Sequence, residues 1–195
     1  SLTKVSSTEW TFQATATDNS TADLVAKVNN TVLDANGNSL LSANHALSVD
    51  TINPTVQGVV ANPVLIYDGT VGSGTFSIEV TFSEAMDPSA VPVLTFGEDV
   101  SGTLTQNAGL SGWSAGNSIY TFVYDVTDID IEQPDVTVDV SGAKDSSGNL
   151  QQDYSAQVEF SIDTQNLTVL SFADNNVDGV ISDDDPTVTY TVTFS

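Results

Sequence analysis

Apolar residues recur at every second position along much of this chain: Trp10, Phe12, Ala14 and Ala16; Phe76, Ile78, Val80 and Phe82; Val136, Val138 and Val140; Val158, Phe160 and Ile162; Val188, Tyr190, Val192 and Phe194. The stretch from Ile119 to Val126 reads the same way. A period of two sets the apolar side chains of a run on one face of a strand, and Val, Ile, Thr, Phe and Tyr are the types that suit a pleated, half-buried surface. No long stretch carries the spacing of an amphipathic helix, and clusters of Gly, Asn, Asp and Ser break the runs at roughly the interval of a sandwich fold's turns. The pattern predicts an all-β chain built of β-sandwiches.

The pattern also repeats. Asp50-Thr51-Ile52-Asn53-Pro54-Thr55-Val56 returns as Asp163-Thr164-Gln165-Asn166-Leu167-Thr168-Val169, 113 residues later, and each copy follows an Asp-x-x-Gly-Asn turn, Asp34 to Asn38 or Asp145 to Asn149. Before the joints, Trp10-Thr11-Phe12 lies over Tyr120-Thr121-Phe122, Leu24, Ala26 and Val28 answer Val136, Val138 and Val140, and Ala43 to Asp50 answers Ala156 to Asp163. After them, Phe76 to Ser83 answers Val188 to Ser195. Self-similarity at a fixed period reads as an array of modules. Residues 1–50 are then the C-terminal part of one repeat, 51–163 a complete repeat, and 164–195 the N-terminal part of the next. The complete repeat has the length and strand number of a seven-stranded immunoglobulin-like sandwich.

The stretch from Glu84 to about Asn117 has no counterpart in either partial repeat. The partial repeats are read either as edges of a longer array or as ends completed by another chain. A front half by itself leaves the strand Thr187 to Ser195 with an unpaired edge and an open apolar face, which invites strand addition.

Composition narrows the partners. With 26 acidic residues against 3 basic ones the net charge is −23, a balance that nucleic acid and anionic membrane surfaces repel and cations favour. Cysteine is absent, so neither disulfides nor thiolate metal sites exist. No segment approaches a membrane span and no signal peptide opens the chain, which reads as a mature or internal piece. The acid is mostly Asp, set beside Gly, Asn and Ser in turns, where short carboxylates suit Asx turns and calcium ligation.

The strongest chemical motif runs from Asp174 to Asp185 and fits the calcium-loop spacing, with Asp185 in place of the closing glutamate. Asp174, Asn176 and Asp178 supply side-chain oxygens, Val180 a carbonyl, and Gly179 the sharp turn. The same residues also describe an Asn/Asp-rich β-turn that needs no ion. Turn, linker and following loop together nominate Asp34, Asn36, Asn38, Asp50 and Asp68 at the first joint. At the second they nominate Asp145, Asn149, Asp163, Asp174, Asn176, Asp178, Val180 and Asp185. For Asp34 and Asp145 the alternative is a hairpin turn with a left-handed glycine.

Other residues read more plainly. Asp125, Asp128, Asp130 and Glu132 read as a solvated strand edge or a further cation site, and nothing in the sequence sets the separation of Glu84 and Asp87 that a catalytic pair would need. Trp10 belongs to a core, whereas Trp113 sits in a loop-like setting open to sugar stacking. His45, the one histidine, lies on a strand face. No nucleophile elbow or phosphate-binding loop is present, so an enzyme is not expected.

Three segments carry a family resemblance: Asp50 to Val56, Thr81-Phe82-Ser83-Glu84-Ala85-Met86-Asp87, and Gly142-Ala143-Lys144-Asp145-Ser146-Ser147-Gly148-Asn149. They resemble the tandem bacterial immunoglobulin-like repeats of giant secreted adhesins. That resemblance implies calcium at the joints between repeats, an extracellular or cell-surface location, adjacent repeats as partners, and a non-enzymatic role as an extended stalk. Leu167 departs from it, standing where the first joint has Pro54. Two other functions compete: a filament or surface-layer subunit completed by strand exchange, and a glycan-binding module centred on Trp113.

Overall fold

The computed structural model describes every residue except Ser1, Ser7, Ala115, Val177, Asp178, Ser182, Asp184, Asp185 and Pro186. The chain is all-β. Its strands are β1 (Leu2–Lys4), β2 (Trp10–Phe12), β3 (Thr21–Val28), β4 (Ala43–Asp50), β5 (Val56–Asn62), β6 (Leu65–Tyr67), β7 (Gly72–Phe82), β8 (Val93–Phe96), β9 (Leu104–Gln106), β10 (Gly112–Trp113), β11 (Ile119–Val126), β12 (Glu132–Ser141), β13 (Gln157–Asp163), β14 (Val169–Asp174) and β15 (Tyr190–Phe194). A single 3-10 turn, Asp68–Thr70, is the helical element among the described residues.

The central strands form two sheets. One runs β10-β11-β7-β5, antiparallel throughout, with β9 also paired to β11. The other runs β6-β13-β12-β8, in which β6 lies parallel to β13. Alternation decides which side chains meet between them. Phe76, Ile78, Val80 and Phe82 of β7, Phe122 and Tyr124 of β11, Val136, Val138 and Val140 of β12, and Phe160 and Ile162 of β13 join one buried cluster. The rings of Phe76 and Phe160 lie 4.7 Å apart at its centre. Burying each such side chain is worth about 1.5–3 kcal/mol, so this cluster supplies the main drive to fold.

Outside these sheets the strands are hairpins: β1-β2, β3-β4 and β14-β15. The last of these pairs the strand near Ser195 on one side and, among the described residues, leaves its other edge unpaired, as the sequence predicted. Their hydrogen bonding repeats that of the centre. Val169 opposes Phe194 and Phe172 opposes Val192, with a bulge between, as Val56 opposes Phe82 and Val59 opposes Val80 with a bulge between. Thr168 N–H donates to Ser195 Oγ as Thr55 N–H donates to Ser83 Oγ. Thr51 N–H bonds the Ser20 carbonyl and returns an acceptor, Oγ1, to Ser20 N–H; Thr164 and Ile131 do the same. The sequence repeat is thus a repeat of specific contacts.

Burial does not repeat. Phe122 is 2 % exposed but its counterpart Phe12 is 60 % exposed, and Phe82 at 2 % compares with Phe194 at 55 %. Trp10, predicted for a core, stands more than half exposed. The reason is physical: alternation chooses the apolar face of a strand, but burial needs a second sheet, and the terminal hairpins have none over them among the described residues.

Candidate functional site

The linker after β4 runs along one end of the central sheets. Thr55 exchanges hydrogen bonds with Ser83, and the Pro54 carbonyl accepts from Gln152 N–H. The loop after β7 and the loop after β12 meet at the same end, since Met86 and Asp145 form an antiparallel bridge and Asp87 N–H donates to the Lys144 carbonyl. Three carboxylates converge there. Oxygens of Asp50 from the linker, Glu84 from the first loop and Asp145 from the second all lie within 4.8 Å of one another.

Each acid is positioned differently. Asp145 is 2 % exposed and caps its own turn. Its Oδ1 accepts from the Ser147 and Asn149 backbone N–H groups, and its Oδ2 accepts from Asn149 Nδ2 at 2.8 Å. Gly148, at φ +96°, makes the turn possible, a conformation that glycine adopts without strain. Asp50 is tied to the same turn: Ser147 Oγ donates to its Oδ2, and Asn149 Nδ2 donates to its backbone carbonyl. Asp50 Oδ1 also accepts from Ile52 N–H.

Glu84 receives no hydrogen bond among the described residues. Burial raises its carboxyl above the ordinary glutamate range, and the negative charges of Asp145 and Asp50 raise it further. Like charges about 4 Å apart repel by about 4 kcal/mol at an effective dielectric of 20. No basic side chain offsets them; the salt bridge found among the described residues joins Lys144 to Asp87 at 3.5 Å. The donor set is all oxygen and all carboxylate, which suits a hard divalent cation, and oxygens sharing one calcium at 2.3–2.6 Å lie up to about 5 Å apart.

The grouping differs from the one the sequence suggested. Nearness along the chain places Asp145 and Asn149 at the second joint and Asp50 at the first, yet all three meet at the first. The turn that serves a joint belongs to the unit that follows the linker, because the strands return residues 142–149 to the end where the chain enters. Asp34, Asn36 and Asn38 form the twin turn: Asp34 Oδ1 accepts from the Asn36 and Asn38 N–H groups and Oδ2 from Asn38 Nδ2, which hold the Asp34 carboxyl below its usual range, the Asn38 side chain contributing most. That turn is exposed and, among the described residues, its hydrogen bonds stay within the turn rather than reaching Asp50. Asp68 follows Tyr67, which opposes Asp163 across the β6–β13 pairing, so it lies at the second joint rather than the first.

Of the ligands nominated in the loop from Asp174, the structure describes Asp174, Asn176 and Val180, while Asp178 and Asp185 lie outside the described residues. Asp174 Oδ1 accepts from Asn176 N–H, and the Val180 carbonyl accepts from Asn176 Nδ2 at 2.9 Å. Asp163 Oδ1 accepts from Gln165 N–H. Near this joint Asp130, at φ +58°, accepts from Asn166 N–H at 2.7 Å and so holds the outgoing linker.

Two further readings change. Asp125 is not merely a solvated acid: its Oδ1 collects Asn107 Nδ2, Ser73 Oγ and Gly74 N–H, which lower its carboxyl and tie three segments together. Trp113 is half-buried in β10, its ring edge-on to Tyr120 at 5.1 Å and 5.6 Å from Phe82, so it packs on the core. Glu84 is the site residue that sequence reasoning passed over. Its signal was its place one residue beyond Ser83, the partner of the linker's Thr55. Comparison with protein-family models, with curated proteins and with solved structures found no match.

Proposed function

We propose that this chain is a non-enzymatic extender segment of a bacterial cell-surface adhesin, built of tandem immunoglobulin-like β-sandwiches and stiffened by calcium at its joints. On this reading the two central sheets are one complete sandwich, residues 1–50 and 164–195 are parts of its neighbours, and the protein works outside the cell. The observation that carries the proposal is the meeting of Asp50, Glu84 and Asp145 across a joint. One carboxylate comes from the linker and two from the unit it enters, so a shared ion would fix the linker's direction. The three carboxylates lie close to one another, and their mutual repulsion is the energy that a divalent cation would remove.

The resemblance of residues 50–56, 81–87 and 142–149 to tandem bacterial repeats supports the same reading. Mechanism is mechanical: an ion-locked linker transmits force and holds a distal domain away from the surface. The test is small-angle scattering of the chain in calcium and in chelator, with a calorimetric calcium titration alongside. A narrower distribution of dimensions in calcium, weakened in Glu84→Gln, is the expected result. Identical scattering curves and a silent titration would rule it out.

A further inference from the structure

Asn36-Gly37 is the one Asn-Gly step in the sequence, and the structure sets it apart from the chain's other carboxamides. Both residues are exposed, Gly37 stands at φ +83°, and a Cβ at Gly37 would meet no atom within 4 Å. Among the described residues the Asn36 carboxamide makes no hydrogen bond, whereas those of Asn38, Asn107 and Asn149 are tied to Asp34, Asp125 and Asp145. A free carboxamide beside a peptide nitrogen that no side chain shields is open to attack by its own backbone. In the central unit the equivalent positions, Ser147 and Gly148, are exposed too, although Ser147 there touches Asp50 of the linker. The openness therefore belongs to the turn itself.

Asp34 works against such an attack. Its Oδ1 accepts from the backbone N–H groups of Asn36 and Asn38, and its carbonyl accepts from Gly37 N–H at 3.1 Å. Together with the bridge between Leu33 and Ser39 these bonds hold the turn closed, and one of them engages the nitrogen that has to react. Bonds to a carboxylate are stronger than neutral ones, so ring closure waits on a local opening of the turn.

We propose that Asn36 is a site of spontaneous deamidation whose rate is set by the Asp34 carboxylate. Solvent base takes the Gly37 amide proton and the nitrogen attacks Asn36 Cγ. An N–Cγ bond forms, the Cγ–Nδ2 bond breaks and ammonia leaves, closing a succinimide. Water then opens the ring at one of its two carbonyls, so that the net change is amide plus water to carboxylate plus ammonia. Opening at Cγ restores the ordinary main chain with an aspartate at this position. Opening at the other carbonyl leaves an isoaspartyl residue, whose main chain runs through Cγ and is longer by one methylene. Each product adds negative charge beside Asp34, and the longer one draws Asn38 N–H away from Asp34 Oδ1. Ser147 has no amide to lose, so the turn that holds Asp50 is exempt. The reaction makes no use of the three carboxylates at that joint, and running it in chelator keeps the two readings separate.

The full chain is incubated at mildly alkaline pH, sampled over days and mapped by peptide mass spectrometry. Isoaspartyl methyltransferase with a labelled methyl donor marks the isoaspartyl product. Residue 36 should convert ahead of every other asparagine, with ammonia released in step and the label concentrated in the peptide that spans it. Asn36→Gln, whose ring would need a further member, should remove that label while leaving the melting of the central unit unchanged. Asp34→Ala should raise the rate severalfold, with Asp34→Asn, which keeps an acceptor oxygen without its charge, between the two. Residue 36 still an amide after other asparagines have converted would overturn the proposal, and so would a rate that Asp34→Ala leaves unchanged.

Discussion

The Ser147 hydroxyl donates to the Asp50 carboxylate at 2.9 Å across 97 positions of sequence. That bond joins a linker to a turn of the unit the linker enters, and it makes the Asp145 turn more than a local hairpin. Among the described residues the same turn chemistry at Asp34 bonds only within its own turn. Two turns of one sequence type therefore carry different loads, and substitutions should separate them.

Asn149→Ala removes the donor shared by Asp145 Oδ2 and the Asp50 carbonyl. Asp145 is buried, so the loss should cost about 1–3 kcal/mol. Asn38→Ala in the exposed twin should stay within about 0.5–1 kcal/mol. Chemical denaturation of the two variants checks the difference, and equal midpoints would contradict it.

Glu84→Gln should act with opposite signs in the two states of the joint. Without metal it relieves a carboxylate crowded by Asp145 and Asp50 and should stabilise the chain by up to about 1 kcal/mol, a few degrees in Tm. With calcium it exchanges a charged ligand for a neutral amide oxygen and should sharply reduce the metal-dependent rise in Tm. Thermal melts in chelator and in calcium read both arms.

The pH dependence follows from the raised Glu84 carboxyl. Between its unfolded value and its higher folded value the native state binds more protons than the unfolded state, so metal-free stability falls as pH rises through that window. Calcium needs the deprotonated form, so its affinity should fall as pH drops through the same window. Melting curves of wild type and Glu84→Gln across that range should converge at the acid end in chelator and diverge above it.

Phe122→Ala opens the central core and should cost about 3–5 kcal/mol. Phe12→Ala, at the equivalent exposed position, should cost less than about 1 kcal/mol in the dilute, unassociated chain. A comparable loss at both positions would mean that the β2 face is covered.

The long strands were legible because β7, β11, β12 and β13 each run far enough for a period of two to declare itself. The short ones were not: β9 has three residues and β10 two, too few for any period, which is why Trp113 read as a loop residue. Trp10 shows the other limit. Alternation names the face that wants cover and says nothing about whether cover is present. At the site, Asp145 stands far closer in sequence to Asp163 than to Asp50, and nearness along the chain suggested the wrong neighbour for it. Only the return of β12 to the entry end of the sheets brings it to Asp50. Glu84 escaped for the same reason, since a carboxylate at a strand end gains its meaning from the loop laid beside it.

The bulge that β14 and β15 share with β5 and β7 puts one extra residue, Gln57 in one copy and Leu170 in the other, where a linker passes into its sheet. A bulge bends its strand and increases the local twist. A unit that imposes one fixed rotation on its successor generates a superhelix, whose pitch and curvature follow from that small angle multiplied along the array. If the chain is the array segment proposed above, its long-range shape is sensitive to a single inserted residue per unit, and deleting Gln57 or Leu170 would alter the contour of that array while leaving the buried cluster in place.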